Sequence, residues 1–387
     1  MDRPKLYWKT VPRSSMFIFL LGVFFLFSII GFAVDVMQLG SQPVPRLMVS
    51  VVMNGLFAVG YAICGVVLRK DWWKGMIPLF IVQVLVSGLM PNLMPALPRP
   101  VQLDATALPH TQQRLIFSAT AIIVAMVLGY VCFLYVSITE GRRYFRAFAE
   151  IELATEIHRT LVPTVDTSID GFEFYGRSLP SGEVGGDLID VFQDERGWIA
   201  YVADVSGHGV APGVVMGMVK SAARMRLSSE DKSTGLLESL NSVLYSVTRP
   251  ETFVTFAYLA SSGGRLECAY SLAGHPAILH YHAATKEFSE VACSNLPLAM
   301  FDKQAFANGS VESAPGDLFL LLTDGILEVE DPKGEEFGLA GVKKVVSEHA
   351  AAPGKVIFES LLEVVRRHGR ANDDQSVLLV RRSGTIA

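Results

Sequence analysis

"WIAYVADVSGHG", residues 198–209, is an apolar run that closes on an aspartate and breaks at once into glycines. Its aromatic and β-branched residues read as a strand, and the glycines end it. Asp204 is the residue that needs a reason, because aspartate disfavours strands and a lone ionised carboxylate is costly to bury. The same grammar recurs three times. In "VGGDLID" (184–190) Asp187 follows Gly185 and Gly186; in "DLFLLLTDG" (317–325) Asp324 ends a run before Gly325; in "NDDQSVLLV" (372–380) Asp373 and Asp374 open one. Each carboxylate sits at a strand terminus, where glycine lets the backbone turn sharply and approach a ligand. Alone, each motif reads as a turn, a solvated loop or, with Pro212 near the first position, a helix entry. Together they read as one set. Gathered carboxylates repel one another unless cations hold them, and the natural occupants are two hard, oxygen-seeking ions such as Mg²⁺ or Mn²⁺.

Around these motifs, from Gly171 onward, strand-like runs ("FEFYGRSL", "TFVTFAYLA", "RLECAYSLA", "AILHYH") alternate with helical patterns at Pro212–Arg226, Thr234–Val247, Gly341–His349 and Lys355–His368. Many strands and few helices predict an α+β domain with sheets covered by helices.

The first part of the chain is different. Of 387 residues 50% are hydrophobic and only 18% charged, and the apolar excess lies before residue 140. Four stretches lack formal charge: Ser14–Val34, Leu47–Leu68, Gly75–Pro98 and Leu115–Thr139. Each reaches the roughly 20 residues of a membrane-crossing helix, giving spans at 14–34, 47–68, 75–97 and 115–139. The third is the weakest, with Pro91, Pro95 and Pro98 after its apolar core. A cleaved signal peptide is not expected, since no small-residue site follows the first run. Basic residues gather in the N-terminal flank (Arg3, Lys5, Lys9, Arg13), at Arg69–Lys74 and at Arg142–Arg146. This predicts both ends in the cytoplasm of a multi-pass inner-membrane protein. Without ionisable residues inside those spans, no proton or ion pathway is expected.

Between the halves, "RRYFRAFAEIELATEIHRTLVP" (142–163) places Phe148, Ile151, Ala154, Ile157 and Leu161 at helical spacing, and Pro163 ends the pattern. The helix either packs on its own domain or forms a parallel dimer seam, and Gly141 is a candidate break from the last span. The expected division is therefore 1–139 membrane region, 140–163 connecting helix and 164–387 soluble domain. A net charge of −5 with scattered basic residues excludes nucleic-acid binding. Four cysteines, at 64, 132, 268 and 293, have neither zinc-site nor disulfide spacing.

"EIELATEIHRTLVP", "SGEVGGDLIDVF", "VADVSGHGVAPGVVMGMVKSAAR", "SLAGHPAILHY", "PGDLFLLLTDGILEVED" and "NDDQSVLLV" together resemble, in order and spacing, the sporulation protein E and RsbU-like branch of the metal-dependent (PPM, protein phosphatase 2C) serine/threonine phosphatases. The likeness covers about 150–383. It implies an αββα sandwich of two antiparallel sheets, here preceded by a four-helix transmembrane region. It further implies that Asp204 bridges two Mn²⁺ or Mg²⁺ ions, that Asp324 and Asp373 join it at one, and that Asp187 and the Val205 carbonyl serve the other. Asp190 and Asp374 would be helpers. In such a site Asp204 and Asp324 act through a metal-activated water on phosphoserine or phosphothreonine, and no side-chain nucleophile is needed. The resemblance also implies a phosphorylated anti-sigma-factor antagonist as substrate and regulation through the connecting helix; the dimer-seam reading of that helix would give a homodimer through 142–162.

The resemblance implies, from its eukaryotic members, an arginine near the first motif that holds the phosphate. Arg177 is the only arginine between residues 164 and 195, and the alternative is a phosphate held by the metals alone. His208 and His275 are left out of the catalytic set. The competing expectations are a catalytically inactive phosphatase fold used as a binding module, a nucleotide cyclase and a transporter. The cyclase reading rests on "GGD" but finds Leu188–Ile189 where Glu and Phe are needed and leaves Asp324 and Asp373 unexplained, and the uncharged spans oppose the transporter.

Overall fold

The computed structural model describes residues 11–68, 71–93, 108–207, 209–229, 235–262 and 266–383. It divides into two units, Met1–Phe148 and Ala149–Ala387.

The first unit holds α1 (Arg13–Met37), α2 (Val44–Leu68), α3 (Trp72–Leu93) and most of α4 (Leu108–Leu161). Four helices are long and apolar enough to cross a membrane. Residues 94–97 of the third expected span, the flank Arg3–Lys9 and residues 69–70 lie outside the described residues. Small residues set the helix crossings: a Cβ on Gly31 would lie 2.6 Å from Val51, and one on Gly55 2.5 Å from Phe24. α1 runs past Val34 and carries Asp35, fully buried, whose carboxylate accepts from Ser118 Oγ at 2.8 Å and from Arg114 at 3.3 and 3.4 Å. The two charges lie near helix ends, just outside the charge-free stretches 14–34 and 115–139. Gly141 is not a break, because α4 continues through it to Leu161.

The second unit stacks two antiparallel sheets. One has the order β1 (Val165–Ile169), β2 (Phe172–Leu179), β11 (Gln375–Arg382), β10 (Leu318–Leu322), β7 (Ile278–His282), β8 (Glu287–Val291). The other has the order β3 (Leu188–Asp194), β4 (Gly197–Val205), β5 (Val254–Ser261), β6 (Glu267–Ala273), β9 (Gly309–Glu312). Helices α5 (Val210–Leu227) and α6 (Leu236–Val247) pack with the second sheet; α8 (Gly338–His349) and α9 (Gly354–His368) pack with the first. A four-residue turn of helix, α7 (Asp324–Leu327), follows β10. This is the αββα sandwich.

The uninterrupted "LFLLL" and "VLLV" runs are explained by a sheet buried on both faces. Successive side chains point to opposite faces, so Phe319, Leu321, Leu378 and Val380 enter the core between the sheets. Leu318, Leu320, Leu322, Val377 and Leu379 instead enter the core under α8 and α9. Trp198 of β4 packs edge-on against Phe172 and Phe174 of β2, with ring centroids 4.8 and 4.9 Å apart, and pins one sheet to the other.

Within the second unit the end of the connecting helix packs through a face that takes in Leu161 of the apolar stripe but otherwise differs from it. Phe148, Ile151 and Ile157 stay exposed. The docking residues are Thr155, whose Oγ1 donates to the Glu183 carbonyl at 2.9 Å, buried His158, and Leu161, whose carbonyl accepts from Lys220 Nζ.

Candidate active site

The strand ladders bring four of the predicted aspartates to one edge of the sandwich. The β3–β4 register pairs Leu188 with Ala203, so one step further Asp187 faces Asp204. The β10–β11 register pairs Leu322 with Val377, which sets Asp324 beside the turn that carries Asp373 and Asp374. The two pairs belong to different sheets, and Thr323 ties them together. Its Oγ1 donates to Asp187 Oδ2 at 2.9 Å, accepts from the Ser376 N–H at 3.0 Å, and its own N–H donates to the Ser376 carbonyl at 3.2 Å. Sequence reasoning passed over Thr323, although it is the residue before the aspartate in "LTDG".

The electrostatics are those of crowded like charges. Burial first, then the charges of Asp324 and Asp373, push the Asp204 carboxyl up to about 7. Burial and Asp204 hold Asp187 well above the ordinary carboxylate range, and burial and Asp373 raise Asp324. Asp187, 1% exposed, lies within hydrogen-bonding reach of Asp204. An unfolded aspartate loses its proton near pH 3.8, whereas Asp204 in the fold keeps it to about 7. The folded chain thus holds a proton that the unfolded chain has released, and metal-free stability falls as pH rises across that window. Melting of the soluble unit in EDTA should show this decline, and excess Mg²⁺ should flatten it. A flat profile in EDTA would contradict the crowding.

The donor set fits divalent cations: carboxylate oxygens from two sheets, crowded so that Asp324 and Asp373 act on Asp204 as like charges. The backbone leaves the same opening. A Cβ on Gly186 would stand 2.8 Å from the Val205 carbonyl oxygen, in the space that oxygen faces. Among the described residues, the trio of ligand atoms within 4.8 Å of one another lies elsewhere, at His280, His282 and Asp317. There Asp317 already accepts from the backbone of Ala283 and Ala314 and pairs with His280 Nε2, each at 2.9 Å, the pattern of a turn cap.

Two of the expected helpers have other duties. Asp374 turns its carboxylate to the backbone: Oδ1 accepts from Ser181 N–H at 2.6 Å and Oδ2 from Gly186 N–H at 2.7 Å, clamping the loop that delivers Asp187. Asp190 is held by Arg224 through two bonds of 2.6 and 2.7 Å, by the Tyr201 hydroxyl at 2.6 Å and by Lys220 at 3.5 Å. This half-buried ion pair fastens α5 to the second sheet. Asp373 is exposed.

The histidines stay outside the chemistry. His275 is buried, its Nδ1 bonded to Thr255 Oγ1 at 2.8 Å, and burial lowers its pKa to about 4, so it is neutral at pH 7. His208 lies outside the described residues. Burial raises the Cys268 thiol, which makes it a poor nucleophile. Arg177 shows no bond to any of the aspartates; it lines a separate cleft with the connecting helix.

Residues 194–383 match the model of the stage II sporulation protein E (SpoIIE) family. The chain is similar to phosphoserine phosphatase RsbU of Bacillus subtilis (strain 168), 23% identical over 238 residues that cover 60% of this chain and 70% of that one. Its fold is similar to the SiaA-PP2C domain of Pseudomonas aeruginosa, with a TM-score of 0.54 at 19% identity, covering 62% of this chain and 98% of that domain. It is also similar to the RsbU and RsbW domains of a Mycobacterium tuberculosis protein, with a TM-score of 0.51 at 25% identity, covering 58% of this chain and 63% of that one.

Proposed function

We propose that the chain, which carries a phosphatase domain of the SpoIIE and protein phosphatase 2C type, is a membrane-anchored serine/threonine phosphatase that removes phosphate from phosphoserine or phosphothreonine of a cytoplasmic signalling protein. The observation that carries this reading is the convergence of Asp187 and Asp204 from one sheet with Asp324 and Asp373 from the other. Asp187, Asp204, Asp324, Asp373 and the Val205 carbonyl would hold two Mn²⁺ or Mg²⁺ ions. Bound there, such ions supply an activated water and offset charge on the phosphoryl oxygens.

The chain's own residues position this apparatus. Thr323 fixes the distance between the aspartates of the two sheets by bonding to Asp187 from the end of β10. The Asp374 clamp on Ser181 and Gly186 sets the loop from which Asp187 projects. Asp204, whose pKa is raised to about 7 when no cation is present, and Asp187, raised as well, are groups whose charge a bound cation would favour. The test is phosphate release from a phosphoserine peptide by the full chain, with and without Mn²⁺; release that ignores Mn²⁺ would sink the reading.

The likeness to RsbU favours an anti-sigma-factor antagonist as substrate. Basic residues flanking the apolar helices favour an inner-membrane protein with the N-terminus and phosphatase domain in the cytoplasm. The exposed Phe148, Ile151 and Ile157 favour a homodimer seam along 142–162, through which the membrane region regulates the site. Ile157→Glu should change kcat by about fivefold or more while the Mn²⁺ concentration for half-maximal rate stays the same. An unaltered kcat in the full-length protein would remove the helix from regulation.

A further inference from the structure

A cleft of about 550 Å³ lies where the end of α4 meets β2 and the loop after it, and it is lined by His158, Arg159, Arg177, Ser178 and Glu183 among others. One of its polar groups is an orphan. His158, 5% exposed, has its Nε2 buried without a hydrogen-bond partner. Unpaired buried polar atoms are uncommon because each forfeits its hydration. The same cleft holds two arginines, Arg159 of the helix and Arg177 of β2. Neither has an ion pair or hydrogen bond among the described residues. Glu183 is the single carboxylate on the lining.

We propose that this cleft is a binding site for a phosphate-class oxyanion, separate from the aspartate cluster. Its donors match that ligand in number and kind. Two guanidinium forks supply charge and paired N–H groups, which suit the oxygens of phosphate. The unpaired imidazole of His158 can donate to an oxygen, which would relieve that orphan; Ser178 follows Arg177 on β2 and turns to the other face of the strand, so it is not counted among the donors. Burial lowers the His158 pKa, so the charge on the ligand is balanced by the arginines. A cation or an apolar ligand would leave the arginines and the histidine unsatisfied. Inorganic phosphate is also what the domain's reaction releases.

Occupancy would have a structural consequence. The ligand would join α4, through His158 and Arg159, to β2 and to the start of the loop clamped by Asp374, whose charge already acts on His158. The connecting helix and the loop bearing Asp187 would then be held by one anion.

The experiment titrates full-length, detergent-solubilised protein with inorganic phosphate, and in parallel with sulfate, in EDTA, so that binding does not depend on cations at the aspartates. The expected result is saturable binding of both anions and a rise in melting temperature. Binding should be about tenfold weaker in Arg159→Gln and in Arg177→Gln, the loss of one charge-assisted contact. Both side chains are exposed, so the variants should fold. Asp324→Asn should bind as the parent does, which separates this site from the phosphatase centre. Absence of saturable binding, equal affinity in the arginine variants, or loss of binding in Asp324→Asn would each overturn the proposal.

Discussion

Asp204→Asn is expected to lower kcat on a phosphoserine peptide by on the order of 10³-fold, and Asp324→Asn by a similar factor, with the soluble unit still folded. Asparagine keeps the size of the side chain and removes the charge. In the metal-free protein that removal relieves repulsion, because burial and neighbouring carboxylates already raise Asp204 to about 7 and raise Asp324 as well. The variants should therefore melt no lower than the parent in EDTA, yet gain less from added Mn²⁺. That opposition between stability and activity marks a cation site, since residues retained for folding lose both together. Asp190→Asn supplies the contrast. It breaks the pair with Arg224 and the contact with Tyr201, so it should melt lower while the surviving folded protein turns over normally. Full activity in Asp204→Asn would instead favour a binding module, with the measured phosphate coming from another source.

Much of this arrangement could be read along the chain, and the parts that could not have physical reasons. Strand ends announce themselves through apolar runs bounded by glycine and aspartate, so Asp187, Asp204, Asp324 and Asp373 were all legible. Their roles relative to one another depend on register, which no local pattern carries. Asp190 and Asp374 look like further members of the same set in "GGDLID" and "NDD". The fold turns Asp190 toward α5 and Asp374 toward backbone N–H groups. Thr323 escaped notice because a threonine ahead of "DG" is an ordinary strand terminus, and its value lies in reaching across to Asp187 of the other sheet. Likewise the apolar stripe of the connecting helix identified a helix correctly but not its docking face. Three apolar members are exposed, while a polar residue, His158, is buried. Asp35 was missed for a simpler reason. Helix α1 extends past the charge-free stretch, and buried Arg114 and Ser118 contacts offset the cost of the charge.

Gly325→Ala should be the most disruptive single-methyl change near the site. "TDG" reads as a turn in which glycine serves a left-handed backbone, yet Gly325 is absent from the glycines with positive φ among the described residues. Its importance is space. A Cβ there would lie 2.0 Å from the Asp374 carbonyl oxygen, 2.9 Å from the Asp374 carbonyl carbon and 3.2 Å from that of Asp373. All three are backbone atoms, so no side chain can swing away, and the turn holding Asp373 has to move from Asp324. Overpacking of this kind costs about 1–3 kcal/mol, and here the displaced segment also carries two of the carboxylates. Both the melting temperature and kcat should fall, and the Mn²⁺ concentration for half-maximal rate should rise, since Asp373 no longer stands beside Asp324. Gly171→Ala is the control. Gly171 has a φ of +78° with open space around it, so alanine there costs about 1–2 kcal/mol of backbone strain with the Mn²⁺ requirement unchanged. If Gly325→Ala matched Gly171→Ala in Mn²⁺ requirement, the close approach of the Asp373–Asp374 turn to Asp324 would have no part in holding cations.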